Sequence, residues 1–470
     1  MSFSMRTHTF RLLPLPLIFA AALGAGCAVG PAYQVPSTPA PAAFKEAAGW
    51  SPAAPADTRE RGPWWTLFGD PVLNDLASQV EVSNQNVAAA LASYSAARAL
   101  VQEQRASLFP SVSLGLSGER AGGRERDSAS NYRLNIGGSW EPDVWGRLRA
   151  AVTSASAGAA ASAADLAAAR LSAQGELAVN YFALRQSDAQ KALLATTLEG
   201  YERVLTITRN RYEAGIVGKS DVLQAETQLA NARIDALSLD RSRAQSEHAI
   251  AILIGKAPAD FALASAPWQP NVPEVPLVVP STLLERRPDI AASERRVAAA
   301  NAQIGIARSA YYPNIGLSSS LGSGGSKVGD LFNASNLLWS FGANVAQSIF
   351  NAGATRASVA AAEAQHQVAV ARYRQSVLDA FGDVENQLAA TRVLAEQQVL
   401  RKQASTAADQ VEAQMLNRYK AGQVGYTEVV QAQATALAAR RALVQSQTDR
   451  QTTAVALIQS MGGGWQAWLK

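Results

Sequence analysis

Four short runs along the chain alternate apolar with small or polar residues at a period of two. Val112, Leu114 and Leu116 interleave with Ser111, Ser113, Gly115 and Ser117. In the next run Tyr132, Leu134, Ile136 and Trp140 share one face, opposite Arg133, Asn135, Gly137 and Ser139. Ile315, Leu317 and Leu321 alternate with Gly316, Ser318 and Ser320. Leu337, Trp339, Phe341, Ala343 and Val345 alternate with Ser340, Gly342 and Asn344. Each run predicts a strand of about nine residues with one face for lipid and one for water. The polar stretches Glu119 to Asn131 and Gly322 to Asn333 are expected as exposed loops. Elsewhere the pattern is helical. From Arg147 to Tyr212, and again from Thr355 to Lys420, there is no proline, and Ala, Leu, Gln, Glu and Arg dominate. At 1.5 Å per residue such a helix reaches about 100 Å, so it needs neighbours along its whole length. Shorter helices are expected from Ser220 to Ile254 and from Glu428 to Met461.

The second half of this pattern repeats the first. RYEAGIVGKSDVLQAETQLANAR begins at Arg211 and RYKAGQVGYTEVVQAQATALAAR at Arg418, identical at 11 of 23 ungapped positions. Both copies predict a helix end, a turn at Ala-Gly-x-Val-Gly, and a new helix capped by Ser220 or Thr427 with an acid behind it. Upstream, AARALVQEQRASLFP ends at Pro110 and AANAQIGIARSAYYP at Pro313. Each is a helix stopped by an aromatic-proline pair, since proline cannot continue the hydrogen-bond ladder. The duplicated unit is therefore helix, strand, strand, long helix, turn, helix. Its length is too great for a solenoid repeat, so the two copies are halves of one pseudo-symmetric body.

Four strands cannot close a barrel, for which about eight is the smallest number. Open sheet edges are not tolerated in lipid, so several chains must share one barrel. Three copies related by cyclic symmetry would supply twelve strands. The predicted fold class is therefore mainly α with a transmembrane β-barrel, the long antiparallel helices forming a hollow α-barrel.

The N-terminus gives a destination. Arg6 and Arg11 precede an apolar run from Leu12 to Ala25, long enough for a signal-peptide core and short for a spanning helix. It ends in LGAGC, where Cys27 is the single cysteine of the chain. That segment resembles a bacterial lipobox, which makes Cys27 the expected lipidation site. Leu23 stands four residues before the cysteine and Gly24 three, where the usual pattern has leucine at three. Ala28, in place of the aspartate that retains lipoproteins in the inner membrane, favours the outer membrane. One cysteine excludes an intrachain disulfide framework.

Charge and candidate chemistry remove other classes. The net charge of +4 lacks basic blocks, so nucleic acid is not indicated. Of three histidines, His8 lies in the signal segment and His248 and His366 stand alone on helices. No metal-ligand spacing and no phosphate-binding glycine loop is present, so neither an enzyme nor a cofactor is expected. Glu285, Arg286, Arg287 and Asp289 read as a structural ion cluster, and Trp64 and Trp65 as an aromatic anchor.

Four segments together carry a family resemblance: CAVGPAYQVP at Cys27, WWTLFGDPVLNDL at Trp64, VPSTLLERRPDIAASE at Val279, and the two RY-x-AG hairpins. With them the chain resembles the TolC/OprM-type outer-membrane efflux proteins, in their NodT-like lipoprotein branch. The resemblance implies a homotrimer with a twelve-stranded barrel in outer-membrane lipid and a periplasmic helical tunnel. The expected divisions are a signal peptide (1–26), a lipid-anchored tether (27–70), a first repeat (71–254), an equatorial linker (255–285), a second repeat (286–461) and a tail (462–470).

The family also implies roles for the hairpins. Gly215, Val217, Gly218 and Lys219 of the first, and Gly422, Val424, Gly425 and Tyr426 of the second, would face a periplasmic adaptor. The four glycines are expected to take turn conformations that a side chain resists. The periplasmic gate would fall at Thr427, Glu428 and Gln431, with Asp221 nearby. Thr427 and Gln431 stand where relatives often carry a bulky apolar residue and an aspartate, so a cation-binding ring is not expected. The implied function is a passive exit duct of a tripartite efflux pump, driven by an inner-membrane resistance-nodulation-division transporter. A duct serving an ABC or major-facilitator exporter or type I protein secretion, and a non-conducting periplasmic coiled-coil scaffold, are the alternatives.

Overall fold

The computed structural model describes residues 29–38, 41, 43–46, 63–124, 126–275 and 287–463. In chain order the main elements are α1 (Pro71–Ser83), α2 (Gln85–Ala106), β1 (Ser111–Gly123), β2 (Arg126–Trp140), α3 (Arg147–Glu213) and α4 (Lys219–Leu253). The second half supplies α5 (Pro288–Ser309), β3 (Asn314–Gly325), β4 (Leu337–Ala346), α6 (Ala354–Lys420) and α7 (Tyr426–Ser460). The duplicated hairpin helices match in length. α3 and α6 both have 67 residues, and α4 and α7 both have 35. No helix among the described residues is long and apolar enough to cross a membrane.

The chain divides into two compact units. The first holds Tyr94–Ala161 and Ser293–Tyr373 with the described part of Met1–Ser37. Its centre is an antiparallel sheet in the order β1-β2-β3-β4. β1 and β4 are its edges, each paired on one side only. The register sets Leu114 opposite Ile136, Ile136 opposite Leu321, and Leu321 opposite Trp339, so the apolar residues of all four runs share one face. The other face is mostly small or polar, although the exposed Leu338 also lies on it. The Ser111 and Ser139 hydroxyls lie 2.8 Å apart there, as do those of Ser320 and Ser340.

One expectation is corrected. Most of Glu119 to Asn131 is strand rather than loop: Glu119 pairs with Asn131 and Ala121 with Ala129, leaving a tight turn beyond Gly123. β3 likewise continues to Gly325 before two short 3-10 turns. Backbone pairing needs no apolar side chains, so the ladder outruns the part whose alternation marks lipid.

The helices enter and leave the sheet at prolines and caps. α2 stops before Phe109-Pro110 and α5 before Tyr312-Pro313. The Asp143 carboxylate accepts from the N–H groups of Leu148 and Arg149, at 2.9 Å each, and so starts α3 immediately after β2. Trp145 stacks on Tyr312 at 4.8 Å and donates to the Pro313 carbonyl at 2.7 Å.

The second unit holds Thr38–Ser93, Ser162–Ala292 and Arg374–Lys470, as far as these are described. Trp64 and Trp65 are buried here rather than set at a surface, and Trp64 donates to Gln174. Asp70 caps α1 by accepting from Val72 and Leu73, and its second oxygen accepts from Tyr181 at 2.6 Å. Burial, and then that hydrogen bond, push the Tyr181 hydroxyl pKa well above its usual range. Arg185 and Arg243 converge on the buried Asp188 at 3.2 and 2.8 Å. Both also donate to the carbonyls of Ala264 and Leu263, which ties the segment after α4 to the helices.

The Arg-Pro-Asp motif forms a clamp. Arg287 binds Asp289 through two nitrogens, at 3.1 and 2.7 Å, and reaches Asp383 at 3.1 Å and the Ser460 carbonyl at 3.0 Å. Burial alone would raise the Asp289 pKa, but the Arg287 hydrogen bonds and charge outweigh it and hold the carboxyl below its usual range. Arg287 and Asp289 are thus members of an ion cluster completed by Asp383; Glu285 and Arg286 lie outside the described residues.

Candidate functional site

The two hairpin turns have the same backbone. In the first, Gly215 has φ +71°, its N–H meets the Tyr212 carbonyl at 2.9 Å, and the Ile216 N–H meets that of Arg211 at 2.8 Å. In the second, Gly422 has φ +72°, with the equivalent bonds to Tyr419 and Arg418 at 2.9 Å each. These are glycine C-caps in the left-handed region, which disfavours a side chain. Gly218 and Gly425 differ from expectation. Their φ values of −77° and −75° are open to any residue, and they, rather than Ser220 and Thr427, are the N-caps of α4 and α7. The helices therefore start at Lys219 and Tyr426, which puts Asp221 and Glu428 in the first turn, where acids favour the positive end of the helix dipole.

Side chains distinguish the copies. Tyr419 and Tyr426, at the two ends of the second turn, are 1% and 3% exposed, with ring centres 5.5 Å apart. They belong to a core with Leu194, Tyr201, Val204 and Leu205 of α3, Val222 and Leu229 of α4, and Val429 and Leu437 of α7. Arg211 from the first hairpin donates to the Tyr419 carbonyl at 2.5 Å, its guanidinium 4.5 Å from the ring centre. Thr208 and the Tyr419 hydroxyl are 3.2 Å apart. Burial pushes the Tyr426 hydroxyl pKa well above its usual range. The Tyr212 side of the first turn is different, for Tyr212 is 44% exposed and Lys219 also faces solvent.

Of the sequence-predicted gate residues, Thr427, Glu428 and Gln431 are exposed along the start of α7, and Asp221 is half-buried at the start of α4. Among the predicted tip residues, Gly215, Gly218, Lys219, Gly422 and Gly425 are exposed, and Val217 and Val424 are half-buried. Tyr426 stands apart, packed inside the core. Cys27 lies outside the described residues. Among the described residues no group of His, Cys, Asp or Glu is arranged to hold a metal ion. Sequence reasoning missed the Arg211–Tyr419–Thr208 contact. Its one signal was the Arg-Tyr pair at both hairpins, which marks where such a lock could form and leaves open which copy forms it.

At the sheet, the apolar face is open to its surroundings. Val112, Leu114, Leu116, Ile136, Leu321, Phe341 and Val345 are exposed, and Trp339 is 78% exposed. An apolar face of that size beside two unpaired edges suits lipid on the face and further strands at the edges. The sequence profile of the family described as outer membrane efflux protein matches residues 76–256 and 279–463, which is most of the chain.

The chain belongs to the outer membrane efflux protein family.

Relatives with characterised names agree. The toluene efflux pump outer membrane protein TtgC of Pseudomonas putida is 32% identical over 462 residues, covering 96% of this chain and 95% of the relative. The cation efflux system protein CusC of Escherichia coli is 31% identical, over 96% of this chain and 98% of its own length. Among solved structures, the outer-membrane channel OprN superposes with a TM-score of 0.85 at 30% identity, covering 94% of this chain and all of its own. The open state of the Neisseria gonorrhoeae MtrE outer membrane channel gives 0.83 at 28% identity, covering 93% and 98%. As an outer membrane efflux protein with this fold, the chain is a channel protein of the outer membrane, and its four strands are the membrane part.

Proposed function

We propose that this outer membrane efflux protein is the passive exit duct of a three-part pump, formed by three copies of the chain. The observation that carries the reading is the sheet: four strands, one exposed apolar face and two unpaired edges. Joining β1 of one copy to β4 of the next satisfies both edges, and three copies give a closed barrel wide enough for water. Cys27 carries the lipid anchor. The paired helices α3–α4 and α6–α7 extend the duct into the periplasm, and their turns meet an adaptor protein that links the duct to a resistance-nodulation-division pump in the inner membrane. The adaptor face consists of Gly215, Val217, Gly218 and Lys219 with Gly422, Val424 and Gly425. Tyr426 supports it from within the core.

The duct closes at the start of α7, at Thr427, Glu428 and Gln431, with Asp221 beside them. Closure there rests mainly on packing and neutral hydrogen bonds, because Thr427 and Gln431 offer no anionic ring, and the Arg211–Tyr419 contact holds the two hairpins together behind it. Cargo is set by the pump. The outer membrane protein of a toluene efflux pump and a protein of a cation efflux system are similarly related to this chain, as a wide aqueous tunnel of low selectivity would allow.

The test is photo-crosslinking in cells from Lys219, with mass spectrometry of what is captured. Capture of a periplasmic adaptor is the expected result. Capture of nothing but further copies of the chain, from Lys219 and from Lys420 alike, would overturn the three-part reading.

A further inference from the structure

Beside the start of α1 the second unit holds an open cleft of about 630 Å³, a volume within the range of about 300 to 1,000 Å³ that small-molecule sites occupy. One wall is the turn from Phe68 to Val72, and another is the segment from Ala266 to Asn271, where Pro267, Trp268 and Pro270 supply stiff apolar surface. Both walls are held in place. The Asn271 side chain donates to the Phe68 carbonyl at 3.2 Å, which joins them. Gln451 of α7 accepts from the Trp268 indole at 3.1 Å and donates to the Asn271 carbonyl at 3.0 Å. Tyr181 and Arg185 of α3 form the floor, 1% and 4% exposed. The hydrogen-bonding capacity of that floor is not filled. Of the five N–H groups of Arg185, Nε donates to the Tyr181 hydroxyl at 3.1 Å, and Nη1 to Asp188 at 3.2 Å and the Ala264 carbonyl at 2.9 Å. The two on Nη2 find no acceptor among the described residues. Asp70 accepts from Val72, Leu73 and Tyr181, which leaves about one of the four acceptor positions of a carboxylate open. A spare donor pair and a spare acceptor thus stand on either side of one phenol oxygen.

We propose that this cleft is a binding site for a zwitterionic aromatic α-amino acid, with its carboxylate on Arg185 Nη2, its ammonium on Asp70 and its ring against Trp268. The spacing supports that class. Asp70 lies 2.6 Å to one side of the Tyr181 hydroxyl and Arg185 3.1 Å to the other, so acceptor and donor are set about as far apart as partners of two charged groups on one carbon need. Charge supports it too. Asp188 is shared between Arg185 and Arg243, and Arg243 also meets Glu247 at 3.3 Å. With Asp70 the cluster holds one more carboxylate than guanidinium. A plain carboxylate would meet that negative excess, and a plain amine would leave the Arg185 donors unfilled in a buried setting, which is costly. A molecule carrying both groups meets neither penalty. Water can fill the same hydrogen bonds but gains nothing from the indole and the prolines, whereas a ring removes their apolar surface from water. The site lies within one chain and does not depend on the three-copy reading.

The experiment is fluorine NMR of para-fluoro-L-phenylalanine added to the purified full-length protein in detergent, with line broadening as the measure of binding. The expected result is broadening by the unaltered protein that is lost with Trp268→Ala. Arg185→Lys keeps the charge but removes the two spare N–H groups, and is expected to weaken binding by about tenfold. Because Arg185 is buried, circular dichroism checks that this variant folds; if it does not, Trp268→Ala, at the half-buried wall, decides alone. Two further probes test the ligand class: para-fluorobenzoate, which lacks the amine, and para-fluorobenzylamine, which lacks the carboxylate, should each broaden far less than the amino acid. Equal broadening by the unaltered protein and Trp268→Ala would show uptake by detergent or another surface and overturn the site. Equal broadening of all three probes by the unaltered protein, lost in the variant, would overturn the zwitterion and leave a site for aromatic rings alone. No broadening of the amino acid at millimolar protein-to-probe ratios would overturn the proposal outright, and none of these results bears on how many copies form the duct.

Discussion

The first and second hairpins share helix lengths, turn hydrogen bonds and a left-handed glycine, yet their side chains are used differently. In the second, the tyrosines at either end of the turn are buried and one is gripped by an arginine from the other hairpin. In the first, the equivalent positions hold the exposed Tyr212 and Lys219. The same contrast recurs further along. Arg233 meets Glu202 at 2.8 Å with both side chains more than half exposed. Its equivalent Arg440 meets both Asp409 and Glu412, at 2.7 and 2.6 Å, and is only 26% exposed. Duplication copies a backbone and its local bonds. What a side chain contributes is then decided by which neighbour it meets.

The sharpest way to break this comparison is at the tyrosines. Tyr419→Ala or Tyr426→Ala removes a buried ring and leaves a cavity, and each is expected to lower the local stability of the tip by about 3 to 4 kcal/mol. Lys219→Ala, at the position equivalent to Tyr426, should change it by less than about 0.5 kcal/mol. Hydrogen exchange of the amides around both turns reads the difference, and equal protection in the three variants would end the claim that the copies differ. A smaller effect is expected from the arginines. Arg440→Ala loses two charge-assisted bonds in a half-buried setting and should cost about 1 to 2 kcal/mol, whereas Arg233→Ala loses a solvated pair worth about 0.5 kcal/mol or less. Thermal unfolding of the two variants side by side would show it. The glycines sharpen the comparison by the opposite expectation. Gly215→Ala and Gly422→Ala each force a side chain into the left-handed region, and both should cost about 1 kcal/mol. Unequal costs would mean that the two turns are not equivalent.

Much of this was legible in the chain. Long helices without proline, ended by Ala-Gly, were placed within about one residue, because one feature sets the extent and another sets the stop. The membrane strands were legible from period-two alternation, but only along the part that meets lipid. Beyond Gly118 the pairing of Glu119 with Asn131 and of Arg120 with Ser130 rests on backbone bonds that leave no apolar trace. The helices α4 and α7 start one or two residues earlier than the sequence suggests, since Ser220 and Thr427 look like caps while Gly218 and Gly425 occupy the cap positions. At the tips, the repeat marks equivalent positions in the two turns without showing that Tyr426 is buried while Lys219 faces solvent. Whether a tyrosine at a turn is offered to a partner or locked into a core depends on residues about 200 positions away, such as Thr208 and Arg211 for Tyr419, and no local pattern encodes that.

The central claim is that the purified full-length protein conducts and that the Arg211–Tyr419 contact helps to hold its tip closed. Single-channel recording in planar bilayers should show a low-conductance channel that opens widely when Arg211→Ala or Tyr419→Ala is introduced, with little block by millimolar divalent cations in either state. Absence of conducting steps from correctly folded Tyr419→Ala protein, or strong divalent block of the resting channel, would contradict it.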